Sequence, residues 1–392
     1  MQKQDDKDWQ KLLANLNPYR QSDATGKGSW RPELQKKIAK YECVKGAKVV
    51  NEEQPFSWLF EADAPYIDKP NARAKFDETE TAIYNGVPAG PIELDPQKAQ
   101  IYIANINPAV ASCQVEELNR AKRDGGSVNI QAYMRAEDAT WIDGKPAENI
   151  LYHQLFETDP TVQDKNSLTE YLQLHTKQDK QHWHAQHASM LLCALFHADD
   201  KKKTSMSVSE AKEILRHYPI QFIDLVPYRT QNADDFLKFI ESKSASDYQM
   251  QSVEAYQAVI GKQKNFKALP NGAKVAALPS TQYMIASVIE RIRQYFEDPV
   301  NVSVPTFVLR SYKNWWQPAL QIFLTNEWDS LPASLRAKTS NAGSLLQVLE
   351  KEFFWTYVSS QNVSISANNL KKVHGKKDEV KFLQTFVEPF QP

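Results

Sequence analysis

The stretch that decides the fold is Ala99–Ser112, AQIYIANINPAVAS. Gln100 to Ile106 reads as a buried strand, because apolar and β-branched residues dominate it. It runs straight into Asn107-Pro108. Proline holds the preceding residue extended and cannot donate to a central ladder, so the strand stops there. A helix is predicted from Cys113 to Arg123, ended by Asp124-Gly125-Gly126. A strand handed directly to a helix is the unit of a parallel α/β sheet, where ligands gather beyond the strand's carboxyl end. Asn107 stands at that place.

Outward from this stretch the pattern recurs. Ile220–Val226 is predicted as a second strand, ending in Pro227-Tyr228-Arg229-Thr230. Val302–Leu309 is a third, followed by Arg310, Ser311 and Lys313, and Gln321–Thr325 a fourth. Between and around them lie predicted helices at Leu168–Leu174, Gln181–His197, Ser207–His217, Ala233–Ser242 and Tyr283–Phe296, the last capped by Ser280-Thr281-Gln282. Lys313–Leu320, Ala342–Trp355 and a closing Glu379–Phe386 complete the helical set. Gln361–Leu370, QNVSISANNL, reads as a polar loop. The expected fold class is α/β, a three-layer α/β/α arrangement around a mainly parallel sheet of about four or more strands. Residues 1–92 read as an N-terminal extension packing on the core, with short helices at Trp9–Leu16 and Pro32–Tyr41. Residues 93–392 form the α/β domain, with an insertion at about 127–200.

Composition narrows the function classes. Of 392 residues 42% are hydrophobic, enough for a sizeable core. With 47 basic and 48 acidic residues the net charge is −1, so there is no global pull toward nucleic acid. Cys43, Cys113 and Cys193 are too few for a four-cysteine metal or iron–sulfur site. His182, His184 and His187 have no carboxylate at ligand spacing and read as surface or core histidines. No metal and no cofactor are expected. The polar start MQKQDDKDWQ is no signal peptide, and no apolar run is long enough to span a bilayer, so a cytoplasmic protein without a membrane partner is expected. The basic run Lys371–Lys377 reads as a solvated loop. Trp315 and Trp316 read as packing between helix and sheet.

Polar residues collect after the strands, and in a parallel sheet those strand ends share one edge. The set comprises Asn107, Tyr228, Arg229, Thr230, Arg310, Ser311, Lys313 and the loop residues Ser364, Ser366, Asn368 and Asn369. It contains no Cys–His or Ser–His–Asp constellation. Such a set suits binding a polar planar group or a phosphate and positioning a water. Each residue also has a bland reading: Asn107 bracing a turn, Tyr228 as a core aromatic with its hydroxyl satisfied, the late loop as an Asx/Ser turn.

Asn105–Ser112, NINPAVAS, resembles the first active-site motif of the uracil- and thymine-DNA glycosylase superfamily, in which an apolar strand runs into Gly-Ile-Asn-Pro-Gly. Phe222–Asp235, FIDLVPYRTQNADD, is similar to the second-strand segment of the mismatch-specific branch. From about Pro91 onward the chain also resembles an uncharacterised bacterial group associated with that superfamily. Shared in order are Leu94-Asp95-Pro96, the Asn-x-Asn-Pro and Pro-Tyr-x-Ser/Thr strand ends, Ser-x-Gln-Tyr, Arg-Ser-x-Lys-x-Trp and the closing QNVSISANNL. The resemblance implies a uracil-DNA glycosylase-like fold and a nucleobase N-glycosidase of the DNA-repair type, acting on a flipped or free nucleotide. On it, Asn107 would orient the water that attacks C1′ as the base departs. Asn105 and Pro108 share that motif and would lie against the substrate. Ser364, Ser366, Asn368 and Asn369 would contact phosphate or the extruded nucleotide, and Tyr228 would stack on a base. Arg229, Arg310 and Lys313 would meet phosphate. The chain departs from the pattern at Asn105 and Ala109, which stand where the superfamily has glycines. Its late loop also has no histidine where a His-Pro-Ser-type loop is usual. The rival expectations are a non-catalytic nucleotide or single-stranded nucleic-acid binding module, or an accessory interaction protein of a bacterial system whose contact surface is the aromatic stretch 127–160.

Overall fold

The computed structural model describes residues 2–18, 44–45, 60–66, 92–97, 99–107, 127–128, 190–196, 208–228, 233–237, 240, 269–359 and 364–390. The predicted elements Pro32–Tyr41, Cys113–Arg123 and Leu168–Leu174 lie outside these residues, as do Pro108, Arg229, the three clustered histidines and nearly all of 127–160.

A five-stranded sheet forms the centre: β1 Ile101–Asn105, β2 Ile220–Asp224, β3 Thr306–Leu309, β4 Phe354–Tyr357 and β5 Leu370–Lys372. The spatial order is 2-1-3-4-5. The first four strands are mutually parallel and β5 is antiparallel to β4. Every residue of β1 is buried, as a strand covered on both faces and paired on both sides must be. Its apolar composition follows from that position.

Alternate side chains feed two cores. On one face Tyr102, Ala104, Ile223, Phe307, Leu309 and Phe354 meet α1 Gln2–Leu16, α4 Pro279–Glu297, α5 Trp316–Asn326 and α6 Ala342–Glu352. On the other, Ile101, Ile103, Phe222, Val308 and Trp355 meet helical residues 190–195, α2 Val208–His217 and α7 Glu379–Phe386. The protein is therefore an α/β fold with helices on both faces of a mostly parallel sheet. Among the described residues no helix is long and apolar enough to cross a membrane.

Several predicted elements differ: Val302–Leu309 is a strand only from Thr306, and Lys313–Leu320 is α-helical only from Trp316. Gln321–Thr325 is not a strand but the second half of α5, which runs unbroken from Trp316. Its apolar run is short, and periodicity alone does not separate a buried helix from a strand at that length. The predicted helix Ala342–Trp355 ends at Glu352, and Phe354–Tyr357 supplies the fourth parallel strand. The long helix is not capped by its own Ser280: it starts at Pro279, and Leu278 at the cap position offers no side-chain bond. Of Ala233–Ser242, Ala233–Phe236 is α-helical among the described residues.

The N-terminal helix is held by a pattern visible in its sequence. Trp9 and Leu13 are buried, and Leu12 and Leu16 pack beside them, a stripe at three- and four-residue spacing. Trp9 Nε1 donates to Glu290 Oε2 at 2.7 Å, and Arg293 closes on the same carboxylate at 2.7 and 2.9 Å. The fully buried indole thus satisfies its only donor on a paired carboxylate of α4. Trp9→Ala is expected to cost about 3–5 kcal/mol of stability, from lost burial and the cavity left behind. Chemical denaturation of the full chain measures this.

Candidate functional site

The carboxyl edge of the sheet is assembled from β1 outward. Pairing continues past the strand ends: Leu225 N donates to Asn105 O and Val226 N to Ile106 O, while Arg310 N donates to Ala104 O at 2.9 Å. Trp316 Nε1 donates to the Asn105 carbonyl at 3.1 Å, fixing the start of α5 on the end of β1. Beyond that rung Asn107 turns its amide onto the neighbouring strand end, where Nδ2 donates to Tyr228 O at 3.2 Å. The order 2-1-3 sends the chain to opposite sides of β1. The carboxyl ends of β1 and β3 then flank the switch point, the position at which open α/β sheets hold ligands.

The late loop reaches the same edge because β5 is reversed. Leu370 pairs with Tyr357 at the end of β4. Val358 N donates to Asn369 O at 2.8 Å, so residues 364–369 sit above that strand end. Asn369 Nδ2 donates to Ser364 O at 3.1 Å, and the Asn369 and Leu370 amides both donate to Ser366 O. Asn369 therefore closes the loop, while Asn368 is exposed and Ser364 and Ser366 are half-buried.

Tyr228 corrects the expectation that it stacks on a base. It is 7% exposed. Its ring stacks on Phe236 at 5.2 Å and meets Phe60. Its hydroxyl donates to Asp63 Oδ2 at 2.5 Å and accepts from Phe60 N at 3.1 Å. The ring is a core residue with a satisfied hydroxyl, and its contribution to the edge is its carbonyl. Asp63 is itself fully buried, and its Oδ1 accepts from Ser280 N at 3.0 Å. A carboxylate from the N-terminal segment thus supplies the cap that α4 lacks, where the helix dipole favours an anion. Lys313 is exposed at the edge, and Trp315 and Trp316 are buried.

The turn after β3 is tightly built. Ser311 has φ 51°, a left-handed backbone uncommon outside glycine. Its carbonyl accepts from Asn314 N and Trp315 N. Tyr312 Oη donates to Glu350 Oε1 at 2.6 Å, joined there by Gln317 Nε2 at 2.9 Å, and His374 Nε2 meets Glu350 Oε2 at 2.6 Å. One buried carboxylate therefore anchors the turn to α6 and to the segment after β5. The short helix α3, Asn271–Val275, presses on the turn through Gly272, whose N–H donates to Asn314 O at 2.9 Å.

Two further residues belong to this edge and escaped the sequence reading. Asp224 and Tyr357 end β2 and β4 on the face that carries Ile103, Phe222, Val308 and Trp355. Asn105 is in register with Asp224. One step beyond Ala104↔Leu309 sets Arg310 beside Asn105, and one step beyond Leu309↔Thr356 sets Tyr357 beside Arg310. Burial lowers the Arg310 guanidinium below its ordinary value, partly offset by Tyr357. Burial pushes the Tyr357 hydroxyl up, so it remains a neutral phenol, with Arg310 acting against the shift. An acid inside the apolar run FIDLV was the available signal for Asp224. Among the described residues no group of three or more His, Cys, Asp or Glu side chains could hold a metal ion.

No protein-family model matches the chain, and no curated protein or solved structure matches it either.

A Cβ at Gly272 would lie 1.7 Å from the Trp315 carbonyl oxygen. Gly272→Ala must push back the backbone of the turn, with an expected loss of about 1–3 kcal/mol or more. Thermal melts measure it. Asp63 gives a pH signature. Burial outweighs its bonds from Ser280 and Tyr228 and raises its pKa above the ordinary 3.8. A carboxylate raised on folding makes the native state bind more protons, so stability falls as pH climbs from that ordinary value through the folded one. The stability advantage of wild type over Asp63→Asn is expected to shrink across that window. Urea melts at stepped pH measure the slope.

Proposed function

We propose that this protein is a nucleobase N-glycosidase-like hydrolase with a uracil-DNA glycosylase-like fold, acting at the crevice beyond β1 and β3. The observation that carries the reading is Asn107. It follows the central buried strand, stands at the switch point, and has its amide oriented by the bond from Nδ2 to Tyr228 O. That bond turns Oδ1 away from the Tyr228 carbonyl, as an acceptor that aligns a water. In the reaction, water oxygen bonds to the sugar C1′ and the C1′–N bond breaks. The bonding pair leaves with the base, which takes up a proton, and the water loses one. A neutral amide suits this role because it holds the water without placing charge beside a phosphate. Fixed donors at the departing base and the phosphate supply the electrostatic part. Arg310, the half-buried loop hydroxyls Ser364 and Ser366, and the exposed Asn368 are the groups for it on this edge.

The neighbouring residue favours a second reading. Asn105, 5% exposed, carries a side chain where the resembled motif has glycine. A closed backbone approach of that kind suits a module that binds a nucleotide without cleaving it.

Purified protein is incubated with oligonucleotides containing uracil, mispaired thymine or damaged bases, and with free nucleosides, and abasic-site formation is measured. Wild type is expected to release base, and Asn107→Ala is expected to lower the rate by about 100-fold or more while remaining folded by circular dichroism. Equal rates in the two proteins reject the mechanism. Oligonucleotide binding without release by wild type selects the second reading.

A further inference from the structure

Pairing between β1 and β2 continues as far as Val226 N, which donates to Ile106 O at 2.8 Å. Asn107 and Tyr228 stand beyond that rung, and side chains fix them there. The Asn107 amide is oriented by Tyr228 O, which accepts from Nδ2 at 3.2 Å. Tyr228 is held in turn by its ring. The ring stacks on Phe236, and its hydroxyl donates to Asp63 Oδ2 at 2.5 Å while accepting from Phe60 N at 3.1 Å. The other oxygen of Asp63 accepts from Ser280 N at 3.0 Å, at the start of α4. A carboxylate only accepts, and here its two donors come from two elements, the segment after β2 and the first turn of α4. A continuous run of bonds therefore leads from α4 through Asp63 and Tyr228 to the Asn107 amide. Ser280, Asp63 and Tyr228 are all buried, so water does not compete for the bonds between them.

We propose that Asp63 is a positioning residue for the Asn107 amide, acting through the hydroxyl and the carbonyl of Tyr228. The inference rests on the reading of Asn107 as the group that orients water, and it assigns control of that group to the N-terminal segment. The last torsion of an asparagine side chain lies in a broad well, so Oδ1 keeps one direction only while Nδ2 has a fixed acceptor. The acceptor here is a main-chain carbonyl beyond the last rung. A tyrosine side chain is a stiff plate with two torsions, so holding its far end restrains the main chain at its near end. Asp63 and Phe60 hold that far end, and Asp63 ties it to the start of the longest described helix. Loss of the tether therefore loosens Asn107 without removing either partner of the bond it makes. Asp63 lies outside every stretch that carries the family resemblance, and it touches no reacting atom in this reading.

The test is NMR of the full-length protein, reading hydrogen exchange at the Asn107 carboxamide, whose signals are identified by their loss in Asn107→Ala. In wild type the bonded Nδ2 proton is expected to exchange more slowly than the carboxamide of exposed Asn368. Tyr228→Phe, which deletes the hydroxyl and keeps the ring and carbonyl, is expected to speed that exchange by about threefold to tenfold, and Asp63→Ala by a similar factor. Asp63→Asn can accept from Ser280 N and donate to the Tyr228 hydroxyl, so it is expected to lie between Asp63→Ala and wild type. Trp9→Phe removes the donor to Glu290 on the same helix and is expected to leave the Asn107 signal unchanged, which separates positioning from a general loss of stability. On an oligonucleotide that wild type cleaves, Tyr228→Phe is expected to lower kcat with KM unchanged. If Asp63→Ala fails to fold, Tyr228→Phe decides. Wild-type exchange at Asn107 as fast as at Asn368, no acceleration in Tyr228→Phe, or an equal acceleration in Trp9→Phe overturns the proposal. Absence of base release in every assay with the coupling intact overturns the hydrolytic reading and leaves the positioning standing. Base release with no coupling does the reverse.

Discussion

The structure depends on a demand made by one strand. β1 is buried over its whole length, so each of its peptide groups needs a partner and none can come from water. The two neighbouring strands meet that demand, both in parallel register. Parallel partners cannot be joined by tight turns, so the chain must cross over the faces of the sheet between them. The helices that make those crossings seal the two cores. The same requirement aligns the ends of β1, β2, β3 and β4 on one edge. Polar residues placed after those strands therefore converge from positions as far apart as Asn107 and Tyr357.

What could be read from the chain follows the range of the forces involved. β1, β2 and β3 were legible because burial imposes long apolar runs and because Pro108 marks an end. The terminal helix Glu379–Phe386 was legible to the residue, since its stripe is amphipathic and Asp378 caps it through a bond to Lys381 N. β4 escaped because FWTY follows α6 after a single residue and continues its apolar content. β5 escaped because three edge residues carry no pattern of their own. In the site, Asn107 and Arg310 were visible as polar groups at strand ends. The role of Tyr228 was not, because the carboxylate that engages its hydroxyl lies 165 residues earlier. Such a pairing leaves no trace in local periodicity.

That pairing also gives the N-terminal segment a structural task. Asp63 joins three parts that are remote in sequence: its own short 3-10 helix, Glu61–Tyr66, the end of β2 through Tyr228, and the start of α4 through Ser280. Trp9 clasps α4 further along at Glu290. The longest helix of the described residues is thus gripped at two points by residues that precede the sheet. The candidate crevice borrows rigidity from it, because Tyr228 presents its carbonyl to Asn107 only while its ring is held.

The direction of the last strand has a geometric outcome. A fifth strand parallel to β4 would enter the sheet from the opposite rim and carry residues 364–369 there. By doubling back, the chain brings that serine- and asparagine-bearing segment to the end of β4. A hairpin-like return is a short, low-entropy tether, so changes of length or composition within it are free to reshape one wall of the crevice while the four parallel strands beneath keep their register.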